Sequence, residues 1–201
     1  MLEKLSALAT HYHTGPAGDV GADGPGVTLR EIRDAGLWQI SGWPETMDAV
    51  GKKLAGIVGA DAAPGPLQSA VGAKGTLLRA QPFVWWLTRA DGAAAREAME
   101  IDAEQGTSLD LSHSRTVIRV EGPRARDLLN RGLPTDLRPD SFPDGSFAGG
   151  AIHLVGVNLH HRDGGYDLYV SRGFAVTLWE FLTETAAQWG YEVGDTEHWG
   201  A

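Results

Sequence analysis

The chain has 201 residues, 42% hydrophobic and 21% charged, with seven Trp, no Cys and a formal net charge of −9. That length fits one large domain or two small ones built as a unit, with an aromatic-rich core. The missing Cys excludes disulfides, thiolate metal sites and a Cys nucleophile, and it agrees with a reducing compartment. The acidic balance argues against a nucleic-acid partner.

The N-terminus "MLEKLSALATHYH" lacks the basic start and apolar run of a secretory signal, and no apolar stretch approaches a membrane span. A cytoplasmic protein is expected. Residues 14–26, "TGPAGDVGADGPG", are rich in Gly and Pro and predict a flexible segment. Their spaced glycines do not make a phosphate loop, because no strand precedes them and no helix follows.

A repeated pattern begins after the strand-like "VTLREI". "LWQISGWP" alternates as a strand ending in Gly42, and Pro44 opens a helix carrying Met47, Val50, Leu54 and Ile57 on one face. A long loop is expected over Gly59–Gly75, then the strands "TLLRA" and "FVWWLT" and a helix over about Asp91–Ile101. The second copy starts with "VIRVEGP", a strand ending in Gly122, followed by a helix with Ala125, Leu128 and Leu129. "AIHLVGVNL" and "YDLYVS" read as strands, and a helix over about Gly173–Trp189 carries the stripe Phe174, Leu178, Phe181, Leu182, Thr185 and Trp189. "SLDLS" and "YEV" are available as closing strands. The order predicts an α+β chain of two tandem ferredoxin-like β-α-β-β-α-β units. The flexible segment is then 1–26, the units are 27–107 and 108–195, and a tail is 196–201.

Candidate chemistry is sparse. In "LSHSRTVIRVEGP" strand alternation puts Ser112, Ser114, Thr116, Ile118 and Val120 on the core face and His113, Arg115, Val117, Arg119 and Glu121 on the other. His113 then cannot serve as base for either neighbouring Ser, which needs contact at about 2.6–3.2 Å. His160 and His161 diverge for the same reason, His153 and His161 lie about 26 Å apart along an extended strand, and no metal-binding His spacing occurs. His11 and His13 sit beside the flexible segment. Asp136, Asp140 and Asp144 fall in a Pro-punctuated loop, and Asp163 has the chemistry of a hairpin turn. No catalytic, cofactor-binding or metal residue is assigned.

Two stretches carry a family resemblance: "DLSHSRTVIRVEGPRARDLLNRGLPTDL" (Asp110–Leu137) and "YDLYVSRGFAVTLWEFL" (Tyr166–Leu182). With the strand-Gly-Pro-helix run, the "GLPTDL" step and the "SRGFAVTLWEFL" helix entry, the chain resembles the gamma subunit of heterotetrameric sarcosine oxidase. The resemblance is strongest over 108–193 and weaker over 27–107. Leu133 stands where relatives carry Cys, and "QPFVWWL" is more aromatic than usual. Both departures also suit a sister complex such as N-methylglutamate dehydrogenase. The resemblance implies a fold similar to the folate-binding domain of the glycine-cleavage aminomethyltransferase. It also implies a non-catalytic subunit working with alpha, beta and delta partners that hold FAD, FMN, NAD, zinc and tetrahydrofolate. Trp85, Trp86 and Trp179 are the candidate interface anchors, with Trp85 and Trp86 pointing to opposite faces of one strand. A stand-alone, folate-binding methyl carrier of the same fold is the rival reading.

Overall fold

A computed structural model describes residues 5–34, 36–89 and 101–199. The strands, in chain order, are β1 (Gly15–Ala17), β2 (Val27–Arg33), β3 (Gly36–Gly42), β4 (Ser69–Gly72), β5 (Gly75–Gln81), β6 (Val84–Arg89), β7 (Gly106–Asp110), β8 (Arg115–Glu121), β9 (Phe147–Ile152), β10 (Val155–Arg162), β11 (Gly165–Ser171), β12 (Tyr191–Val193) and β13 (Glu197–His198). The α-helices are α1 (Met47–Val58), α2 (Ala125–Leu129) and α3 (Ala175–Ala186). The α+β class follows. The helix expected over about Asp91–Ile101 lies, apart from Ile101, outside the described residues.

The chain forms two compact units, and neither is a continuous stretch. One comprises Met1–Ile32, Ser114–Asp144 and Gly149–Glu197; the other comprises Arg33–His113, Gly145–Ala148 and His198–Ala201. The reason is strand pairing. β2 precedes β3 in sequence yet pairs with β8, and β7 precedes β8 yet pairs with β3. The expected boundary at 107/108 therefore moves to 113/114, and Val27–Ile32 belong with the second repeat rather than the first.

In the unit built on β3, the sheet runs β4-β5-β6-β3-β7. Alternation sends Trp38, Ile40, Leu77, Trp85 and Leu87 to one face, where Val50, Leu54 and Val58 of α1 meet them. Burying each such side chain contributes roughly 1.5–3 kcal/mol. Met47 and Ile57, expected in the stripe, flank it and are partly buried. Pro44 opens a 3-10 turn before α1, and Gly59, at φ 76°, ends the helix by donating its N–H to Ala55 O. The expected loop Gly59–Gly75 contains β4, an edge strand that pairs with β5.

In the other unit, the sheet runs β1-β12-β2-β8-β11-β10-β9. β12 lies parallel to β2, while β8, β11 and β10 alternate antiparallel. Where the composition predicts a flexible segment, part of residues 14–26 is tied to neighbouring backbone, although none of them is buried. Gly15–Ala17 pair with Val193–Tyr191, Gly26 N–H donates to Gly190 O, and Asp19 N–H donates to Ala187 O. Just before them, Leu8 is fully buried and the Tyr12 ring packs tilted against Trp179, centroids 5.2 Å apart. Gly-rich backbone can hug another backbone because no Cβ intervenes. "AIHLVGVNL" is likewise two strands, β9 and β10, turning at His153 and Leu154. The buried stripe of α3 is Ala175, Leu178, Trp179, Leu182 and Ala186, so Phe174 lies outside it and is exposed.

Gly122 is the corner the repeat predicts. Its φ of 103° and the 2.7 Å a Cβ would leave to Gly26 O both demand glycine. No helix among the described residues is long and apolar enough to cross a membrane.

Candidate functional site

Ser112, His113 and Ser114 sit in a turn before β8, not within it. Ser112 Oγ accepts the Leu37 N–H at 3.0 Å, Asp110 Oδ1 accepts the Ser112 N–H at 2.8 Å, and His113 is exposed. A turn, rather than the strand alternation expected, sets the placement of these three residues. Among the described residues no group of three His, Asp or Glu could hold a metal ion.

The expected polar face of β8 is buried instead. Thr116, Val117, Ile118, Arg119 and Val120 are all buried, so both faces of the strand are covered. The register explains how a charge survives there. Arg119 pairs across with Asp167, and His160 pairs with Asp167 from the other side, so all three side chains share one face. Asp167 is fully buried; its Oδ1 accepts from Arg119 Nη1 at 2.9 Å and its Oδ2 from Arg162 Nε at 2.6 Å. Arg119 Nε donates to Glu121 Oε1 at 2.9 Å and its Nη2 to Arg162 O at 3.3 Å. Glu121 also pairs with Arg30, which reaches Glu197 at 3.7 Å.

The electrostatics of this layer are set by burial and pairing. Burial works against the charges of Arg119 and Arg162, but Asp167, together with Glu121 at Arg119 and Asp163 at Arg162, outweighs it and holds both above the ordinary arginine value. Burial pushes the Asp167 carboxyl up, against the two guanidiniums that pull it down. Burial, reinforced by Arg162 and Arg119, lowers His160 to about 3. Burial also raises Tyr169 well above its ordinary value. At neutral pH His160 is neutral and the Tyr169 hydroxyl keeps its proton. Each Asp167 oxygen already accepts a guanidinium N–H. The network suits charge-neutral fixing of β2, β8, β10 and β11 to one another, and a general base would have to give up a guanidinium to act.

The remaining sequence candidates scatter. His161 points to the opposite face from His160, stacked on Tyr166 at 4.6 Å with Nδ1 2.9 Å from Phe142 O. His153, at φ 55°, occupies the β9–β10 turn and stacks on Phe181. Asp136 is held well below the usual carboxylate range by hydrogen bonds from Arg138 and Ser141. Asp163 and Gly164 form a two-residue hairpin loop, both at positive φ, as their residue types predict.

Trp85, Trp86 and Trp179 are all buried, so none is free to anchor a partner. Trp85 and Trp86 do face opposite ways: Trp85 enters the α1 core, whereas Trp86 packs near Phe147 and donates to Gln39 Oε1 at 3.2 Å. The exposed aromatics are Trp43 at 41%, Phe83 at 50% and Phe174 at 57%. The Arg119–Asp167 pair was missed because Arg119 reads as surface until β8 is known to be covered on both sides. The available signal was the complementary placement of Arg and Asp on two apolar strands of one repeat.

No family model matches the chain. A curated relative, an aminomethyltransferase from Geobacillus thermodenitrificans (strain NG80-2), is 29% identical over 111 residues, 54% of this chain. That match spans 27% of the relative's own length. Among solved structures, a chain of the heterotetrameric sarcosine oxidase from Corynebacterium sp. U-96 in complex with pyrrole 2-carboxylate superposes with a TM-score of 0.80 at 21% identity. The superposition covers 92% of this chain and 95% of that one. The glycine cleavage system aminomethyltransferase T from Bartonella henselae superposes with a TM-score of 0.63 at 14% identity, over 94% of this chain and 57% of that one. The fold is thus shared with both proteins.

Proposed function

We propose that the chain is a non-catalytic, gamma-type subunit of a heterotetrameric sarcosine oxidase. The observation that carries this reading is the two-sided coverage of the superposition on the oxidase chain, 92% and 95%. The likeness to the transferase leaves 43% of that chain unmatched, since only 57% is covered. The complex oxidises the N-methyl group of sarcosine with oxygen, giving glycine and hydrogen peroxide and passing the one-carbon unit to tetrahydrofolate. FAD, FMN, NAD, zinc and tetrahydrofolate belong to the alpha, beta and delta partners, and this chain supplies fold and contact surface. A cytoplasmic location fits that role. The self-contained charge layer around Asp167 supports the non-catalytic part, because its groups are spent on each other.

The test is reconstitution. The candidate alpha, beta and delta subunits are prepared with and without this chain, and both peroxide release and reduction of an added artificial electron acceptor are followed with sarcosine and with N-methylglutamate. Sarcosine-dependent release that needs the chain for assembly supports the reading, and a preference for N-methylglutamate assigns the sister dehydrogenase instead. The transferase relative favours one other reading, a folate-binding methyl carrier acting alone. Calorimetric titration of the isolated chain with tetrahydrofolate separates the two, since micromolar binding by the chain alone belongs to the carrier.

A further inference from the structure

We propose that the unit built on β3 carries a binding site for a small organic monocarboxylate, between α1 and the loop that follows it. The site is a cavity of about 690 Å³ lined by α1, residues 60–65, Arg79 and Trp85. That volume lies within the range of small-molecule pockets. It adds to the subunit reading and does not depend on it.

Arg79 gives the site its chemistry. It pairs with Trp85 across β5 and β6, next to a register shift between Arg79 and Gln81, and its guanidinium lies 4.4 Å from the centroid of the Trp85 ring. One Nη donates to Pro82 O, while Nε is buried without a hydrogen-bond partner. Burial lowers the Arg79 pKa, and among the described residues no carboxylate pairs with it. A guanidinium on a cavity wall with no carboxylate paired to it is a place where an anion gains a charge-assisted hydrogen bond.

The other walls decide what kind of anion. Gly51, Ala55 and Ala63 present little but backbone and methyl groups, and Trp85, 2% exposed, closes the floor beneath Arg79. A Cβ on Gly51 would stand 3.2 Å from Ala63 Cβ and 3.4 Å from Trp85 Cζ2, so glycine keeps helix, loop and indole in register around the space. Exposed Asp48 and Asp61 balance Lys52 and Arg79 at the same cavity. A polyanion would meet those two carboxylates, whereas a single carboxylate on a flat apolar body meets Arg79 and then aromatic and methyl surface.

Calorimetric titration of the full chain with sodium benzoate, and with benzyl alcohol as the uncharged analogue, tests the site. Saturable benzoate binding at about 1 mM or tighter is expected, with benzyl alcohol at least tenfold weaker. Arg79→Gln should weaken benzoate binding by about tenfold or more. Gly56 lines the cavity with open space beyond its Cα, so Gly56→Phe should plug the mouth and abolish binding without a clash in the fold. Should Gly56→Phe fail to fold, Arg79→Gln decides alone. Absence of saturable benzoate binding, equal affinity for benzyl alcohol, or unchanged binding in Arg79→Gln overturns the proposal.

Discussion

Arg119 and Asp167 face each other across β8 and β11, both buried, with Nη1 and Oδ1 2.9 Å apart. Arg162 closes on the same carboxylate from β10, so one aspartate ties three strands. Such a pair stabilises little relative to an apolar replacement of both partners, but loss of one partner strands the other's charge. Asp167→Ala should therefore cost about 3–5 kcal/mol in urea unfolding. A cost below about 1 kcal/mol would show that the guanidiniums find water or another acceptor.

Beside this pair, His160 makes stability depend on pH. Its folded pKa, about 3, lies below the ordinary histidine value of 6.5, so the unfolded chain binds more protons between those values. Stability from this residue is complete above pH 6.5 and is lost as pH falls toward 3, at up to about 1.4 kcal/mol per pH unit. Carboxylates titrate over the same interval, so the readout is the difference between the wild type and His160→Gln. The variant's unfolding free energy should fall less steeply on acidification, and parallel curves would remove His160 from the account.

Two glycines at positive φ separate conformational strain from steric clash. Gly122→Ala meets both, because its Cβ would lie 2.7 Å from Gly26 O, whereas Gly164→Ala in the β10–β11 loop meets nothing within 4 Å. The first should lose several kcal/mol, since backbone must move, and the second about 1 kcal/mol. Thermal melts of the two variants supply the comparison.

Trp179 fills the α3 stripe and packs, tilted, against Tyr12. Trp179→Ala should destabilise the isolated chain by about 3–5 kcal/mol. A variant that keeps the wild-type melting temperature but fails to bind partners would restore Trp179 as an interface anchor.

The strands with clear alternation and the proline-opened α1 were legible in the sequence because each depends on local period and turn chemistry. "VIRVEGP" and "LWQISGWP" announced β8 and β3 with their corners. Less legible was anything set by partners distant in sequence. β4 has four residues and a Gly end, so it read as loop, and the exchange of β2 and β7 between units leaves no local trace. The same gap hid the charge layer: Arg119 on an apolar strand reads as exposed until Asp167 and His160 are known to flank it. The N-terminal glycines misled for the opposite reason, since composition measures freedom in the unfolded chain and not whether a neighbouring backbone will pair with it.

Co-expression with the candidate alpha, beta and delta subunits, followed by size-exclusion chromatography with flavin absorbance, tests the central claim most directly. The account predicts that this chain co-elutes with the flavin-bearing peak in equal stoichiometry to the other subunits. Elution of the chain as a separate monomer while the other three assemble without it would contradict the subunit assignment.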